Sequence, residues 1–136
     1  MTSDQPESAT DSDIDLDVLD EAMVAKLVDL DDGRVGLFSE MVELFRVAVH
    51  EHLDELDQGV ANGDAVAALR MAHAICGESA SMGATRVERQ ARELEQLATE
   101  QRLESAPARA AALRRSVDHC IVAMDGEIAR RTCGVA

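Results

Sequence analysis

From about residue 17 onward, apolar side chains return every three to four positions almost without a break, and no segment alternates apolar and polar residues as a half-buried strand would. That single periodicity confines the chain to an all-α fold. A first short helix is expected over about Asp17 to Leu30, with Leu19, Met23, Leu27 and Leu30 on its stripe, acids in its first turn and the breaker Asp31-Asp32-Gly33 behind it. A second, about Arg34 to Val60, carries Phe38, Val42, Phe45, Val49, Leu53 and Leu56, and ends at Gly59 and Asn62-Gly63. Asp64 can cap a third that runs to Met82, with Gly83 as the glycine just past a helix end. Thr85-Arg86-Val87-Glu88 reads as a capping box for a fourth, which keeps Val87, Ala91, Leu94 and Ala98 inward. Ser105-Ala106-Pro107 opens a fifth, striped by Leu113, Val117, Cys120, Ile121, Met124 and Ile128. Connections of a few residues make consecutive helices antiparallel neighbours, so the expected architecture is an up-down four-helix bundle with the short first helix as a lid.

The length of 136 residues suits one domain whose core needs no disulfide or metal to hold it. That core must be aliphatic, because there are two Phe and neither Trp nor Tyr. With 27 acidic against 13 basic side chains the net charge is −14, and a strongly negative chain without aromatic stacking platforms is a poor match for nucleic acid or anionic lipid. The acidity is concentrated: the first 32 residues hold eleven acids and one base, Lys26. Residues 1–13 are too polar to bury a surface and are expected as a flexible acidic tail, followed by a helical bundle over 14–131 and a frayed end over 132–136. No apolar run approaches a membrane span and the N-terminus lacks the basic and apolar regions of a secretory signal, so a cytoplasmic protein is expected. Cys76, Cys120 and Cys133, odd in number and without CxxC spacing, fit free thiols better than a disulfide or zinc framework.

Chemistry is concentrated on the third helix. At 100° per residue, Ala68, Met71, Ala72, Ile75, Ser79 and Met82 fall about 100° to 180° away from His73 and form the buried stripe. His73 therefore points outward. Val66, Leu69, Arg70, Cys76, Gly77 and Ala80 lie within about 60° of its direction, so the imidazole is framed by small and apolar residues. A lone solvent-facing histidine is ordinarily idle. Here, however, a neutral imidazole nitrogen is a competent nucleophile near pH 7, and Gly77, one turn on, removes the Cβ that would hold a partner's active site away.

Residues 72–84, AHAICGESASMGA, resemble the signature of histidine-containing phosphotransfer (HPt) domains, approximately Ala-His-x-Leu-Lys-Gly-Ser-Ser-x-x-x-Gly-Ala. Ala72, His73, Gly77, Ser79, Gly83 and Ala84 match, Ile75 stands for Leu, and Glu78 stands where Ser is usual. The likeness covers about residues 34–101. It implies a phosphocarrier, not a free-standing enzyme: His73 would accept a phosphoryl group from the aspartyl phosphate of one receiver domain, such as that of a hybrid histidine kinase, and donate it to another. The chain itself would need no cofactor, since the receiver would supply the Asp, a Lys and Mg²⁺. One position departs from the pattern. The family's Lys three residues after the His is Cys76, and Arg70, one turn before His73, could supply positive charge from the other side.

The alternative is a degenerate helical adaptor that binds receivers or kinases through the apolar patch of Val66, Leu69 and Ala80 without carrying phosphate. Other candidates are weaker. His50-Glu51-His52 lacks the i, i+4 histidine pair of a zincin, because position 54 is Asp. His50 with Asp54 is a loose metal pair better explained as a solvated face, His52 is expected as a half-buried packing residue beside Val49 and Leu56, and Cys120 as a small hydrophobe.

Overall fold

The computed structural model describes residues 18–135, and every regular element among them is an α-helix. Helix α1 is Glu21–Asp29, α2 Gly36–Ala61, α3 Ala65–Met82, α4 Thr85–Thr99 and α5 Ala106–Val135. Helix α3 packs on both α2 and α4, and α5 packs on the same two from the far side, which closes the four-helix bundle. The short α1 lies against α2 and α3. The expected tail, residues 1–13, and the first four residues assigned to the bundle lie outside the described residues.

Local chemistry sets the helix ends. Asp20 caps α1, its carboxylate accepting from the Ala22 and Met23 amides at 3.0 and 3.3 Å. The helix therefore starts at Glu21, later than expected, and Leu19 is buried just ahead of it. Asp64 caps α3 by accepting from the Ala67 amide at 3.1 Å. Gly83 ends α3 in the left-handed conformation, φ +73°, as the Ala84 amide donates to the Ser79 carbonyl at 2.9 Å. The corner is tight. A Cβ on Gly83 would meet Met23 at 3.0 Å, and the Asp20 amide donates to the Gly83 carbonyl at 2.8 Å, so α1 is fastened onto the α3–α4 turn.

Two expectations fail at helix ends. The capping box at Thr85 does not form: Ala84 holds the cap position, Thr85 is already the first helical residue, and its hydroxyl donates back to the Gly83 carbonyl at 3.4 Å. The residue at the cap position, Ala84, has no side-chain oxygen to accept from the first amides of α4, and Glu88 instead pairs with Arg92 at 2.7 Å. The frayed end expected from 132 is helical to Val135. Its last turns are held by Glu127, which pairs with Arg130 and Arg131, and by the Thr132 hydroxyl donating to the Ile128 carbonyl at 2.7 Å.

The core is the aliphatic one that the periodicity requires. Phe38, Val42, Val49, Leu53 and Leu56 of α2 meet Ala72 and Ile75 of α3, Val87 and Leu94 of α4, and Leu113, Val117 and Met124 of α5, all almost fully buried. Met71 and Ile128 sit at its margin, half-buried. Removing a side chain of this size from water is worth roughly 1.5–3 kcal/mol, which is how stripes without aromatic stacking suffice.

Candidate functional site

The site stands on the middle of α3, where Ala72 and Ile75 are fully buried and anchor the helix on either side of His73. The His73 side chain is 76% exposed, the inverse of its neighbours. Its Nδ1 lies 2.8 Å from Glu95 Oε2 of α4. An ionised carboxylate can only accept, so the hydrogen bond places the imidazole proton on Nδ1 and leaves the Nε2 lone pair facing solvent. The ring is thereby oriented, fixed in one tautomer and presented nitrogen-first.

The residues expected around His73 divide into two flanks. Gly77, Ala80 and Val66 are exposed along the same face, with Leu69 half-buried at its edge, and together they form a shallow, weakly polar surface around the imidazole. A Cβ built on Gly77 meets nothing within 4 Å, so no contact inside the protein requires glycine there. Arg70 is exposed on the opposite flank from Glu95, beside Gln58 and Gly59 of α2 in an open groove. Cys76 departs from its expected place: it is only 8% exposed, because the flank it occupies is the one against which α4 packs. Burial raises its thiol pKa above the ordinary value, Arg92 working in the opposite direction and Glu88 and Glu95 in the same one. Three charged side chains of α4 are thus gathered opposite this one turn of α3.

Glu95 was missed in the sequence because it sits among similar polar residues of an amphipathic helix. One signal could have found it: His73 and Glu95 lie almost equally far from the turn at Gly83-Ala84, and antiparallel helices joined by a tight turn bring such positions together.

The other histidines are occupied elsewhere. His50 Nδ1 is 2.7 Å from the Arg46 carbonyl and its Nε2 3.5 Å from Asp118 of α5, whereas Asp54 takes Arg114 at 3.0 Å, so the loose His50–Asp54 pair is not formed. His52 is half-buried, with Nδ1 2.8 Å from Glu78 Oε2 of α3. That approach is not an aligned hydrogen bond, since the ring nitrogen has no hydrogen-bond partner. Cys120 is buried and its thiol is pushed up to about 12 by burial alone, while Cys133 is exposed. Among the described residues no helix is long and apolar enough to cross a membrane, and no three His, Cys, Asp or Glu side chains are grouped to hold a metal ion.

Comparison with known proteins agrees with this geometry. The family model of the Hpt domain matches residues 40–122, which include all of α3 and α4. The crystal structure of histidine-containing phosphotransfer protein B (HptB) from Pseudomonas aeruginosa PAO1 is similar at 27% sequence identity with a TM-score of 0.75, covering 83% of this chain and 96% of that one. No curated protein sequence matches the chain. With the family model spanning more than half of the sequence and the solved relative sharing its helical bundle, the chain belongs to the Hpt domain family, the phosphocarriers that exchange phosphoryl groups with receiver-domain aspartates.

Proposed function

We propose that His73 is the phosphoacceptor and that Nε2 is the reacting atom. The observation that carries this reading is the Glu95 hydrogen bond, which occupies Nδ1 at 2.8 Å and leaves Nε2 as the one nucleophilic nitrogen of a ring that is 76% exposed. In the transfer, the Nε2 lone pair attacks the phosphorus of a receiver's aspartyl phosphate. The N–P bond forms as the P–O bond to the aspartate breaks, and the aspartate leaves as a carboxylate with the bonding electrons. The Nδ1 proton stays in the hydrogen bond to Glu95, whose negative charge offsets the positive charge that develops on the ring. Reversal of these steps donates the phosphoryl group to a second receiver.

Phosphoryl transfer is governed by positioning and charge neutralisation, and this chain provides the positioning. Its share is a nucleophile fixed on a packed helix and a docking surface of Val66, Leu69, Gly77 and Ala80. The aspartate, the divalent cation and the remaining catalytic groups belong to the receiver, so the chain acts as a transfer intermediate and not as an enzyme in its own right. Receivers of response regulators are the partners in view, and that of a hybrid kinase is a suitable donor.

The test is labelling of the full chain by a phosphorylated receiver. His73→Gln is expected to abolish an acid-labile, base-stable label without changing the helical content or unfolding midpoint, because the side chain packs against no part of the core. A label retained by that variant refutes the assignment. Tight receiver binding with no label on the parent chain would instead favour the non-phosphorylated adaptor.

A further inference from the structure

Phosphorylation puts close to two negative charges on His73, beside Glu95 and on the same flank as Glu88, in a chain whose net charge is already −14. The position from which the family pattern would supply a cation is the buried Cys76, whose short side chain carries none. A neutralising group must come from another position, and the register of the α3–α4 hairpin offers one across the seam. The His73–Glu95 contact fixes how the two antiparallel helices are aligned, so three residues further along α3 corresponds to three residues back along α4. That pairs Cys76 with Arg92, one helical turn, about 5 Å, from the His73–Glu95 contact. The Arg92 side chain is 64% exposed and holds Glu88 one turn behind it at 2.7 Å.

Resting on the assignment of His73 above, we infer that Arg92 of α4 is the cation of the phosphorylated state: its guanidinium leaves Glu88 and pairs with the phosphoryl oxygens on His73. The Arg92–Glu88 pair is a surface ion pair of the kind that contributes little to stability, so exchanging its carboxylate for a dianionic phosphoryl group is favourable. Arginine suits the exchange because its planar donors can meet two phosphoryl oxygens at once. The influence of Arg92 on the Cys76 thiol agrees with this proximity. Arg70 carries the same charge but stands on the α2 flank, away from Glu95, Glu88 and the turn of Cys76.

The test reads the charge beside the phosphoryl group directly. The full chain is phosphorylated with potassium phosphoramidate, and the ³¹P chemical shift of phospho-His73 is followed against pH. A paired cation favours the dianion, so removing it raises the titration midpoint. Arg92→Ala is expected to raise the proton affinity of the phosphoryl group about threefold, or about half a pH unit, whereas Arg92→Lys retains most of the parental value. Arg70→Ala removes an equal charge and is expected to leave the midpoint within a fraction of that shift. An unchanged midpoint in Arg92→Ala, or equal shifts in Arg92→Ala and Arg70→Ala, overturns the inference while leaving His73 as the acceptor. A receiver-derived label that persists in His73→Gln overturns the acceptor assignment itself.

Discussion

Gly77 lies in the interior of α3, where glycine is a poor helix former, yet nothing in the chain itself calls for it: a Cβ there meets no atom within 4 Å. Replacing it by Gln should therefore stabilise the fold by about 0.5–1 kcal/mol, the difference in helix propensity undiminished by any clash. For a chain of this length that corresponds to a rise in melting temperature of about 2–5 °C. The same side chain would stand one turn from His73 on the face that a receiver must approach. Gly77→Gln is thus expected to accept phosphate normally from phosphoramidate, which is small, and to lose most of its exchange with a phosphorylated receiver. Gly126 of α5 is the control: its added Cβ would meet only the Arg130 guanidinium at an ordinary 3.7 Å, so Gly126→Ala should stabilise by a similar amount and leave receiver exchange untouched. The assays are thermal unfolding followed by circular dichroism and transfer of radiolabel between receiver and carrier. A Gly77→Gln protein that is more stable and exchanges phosphate at the parental rate refutes the steric argument, since no partner would then pass over this turn.

Ile75→Ala and Leu94→Ala, which hollow out the α3–α4 seam at positions 0% and 2% exposed, should each destabilise by about 2–4 kcal/mol, to be read from urea unfolding midpoints; losses below about 1 kcal/mol would contradict the packing described. At pH 8 a thiol reagent should modify Cys133 rapidly and leave Cys120 untouched until the protein unfolds. Cys120 keeps its proton up to about pH 12 when folded but loses it near 9 when unfolded, so its contribution is complete below pH 9 and declines as pH rises toward 12. With no Tyr and a single Lys, few other side chains titrate in that window. Stability should fall there by at most about 1.4 kcal/mol per pH unit for this thiol, and a slope unchanged in Cys120→Ala would show that another group is responsible.

The features that could be read in the sequence are those set by neighbours in the chain. Asp64 and Gly83 delimit α3 as expected, because each acts on amides and carbonyls within a turn of itself. The stripes of α2, α4 and α5 are buried as their spacing requires. The failures at the site occur where a second helix decides. A helical wheel places Cys76 beside His73 but contains no information about α4, which covers that flank. It likewise cannot distinguish Glu95, which orients the imidazole, from Glu93, which pairs with Arg109 of α5 at 2.9 Å. Thr85 and Glu88 have the spacing of a capping box, yet the turn at Gly83 puts Ala84 at the cap position and makes Thr85 the first helical residue, one place too late to cap. Residues 132–135 lack a strong apolar stripe, and ion pairs at Glu127 carry the helix to the end instead.

The hydrogen bond from Nδ1 to Glu95 also bears on traffic through the proposed carrier. If receivers dock over His73 as proposed, donor and acceptor would have to use the same face in turn. On that reading the exchange should follow ping-pong kinetics, with a free phosphorylated carrier between two encounters, and parallel rather than intersecting double-reciprocal plots would check it. The net flow between two receivers would then be set by their relative abundance, affinity and phosphorylation.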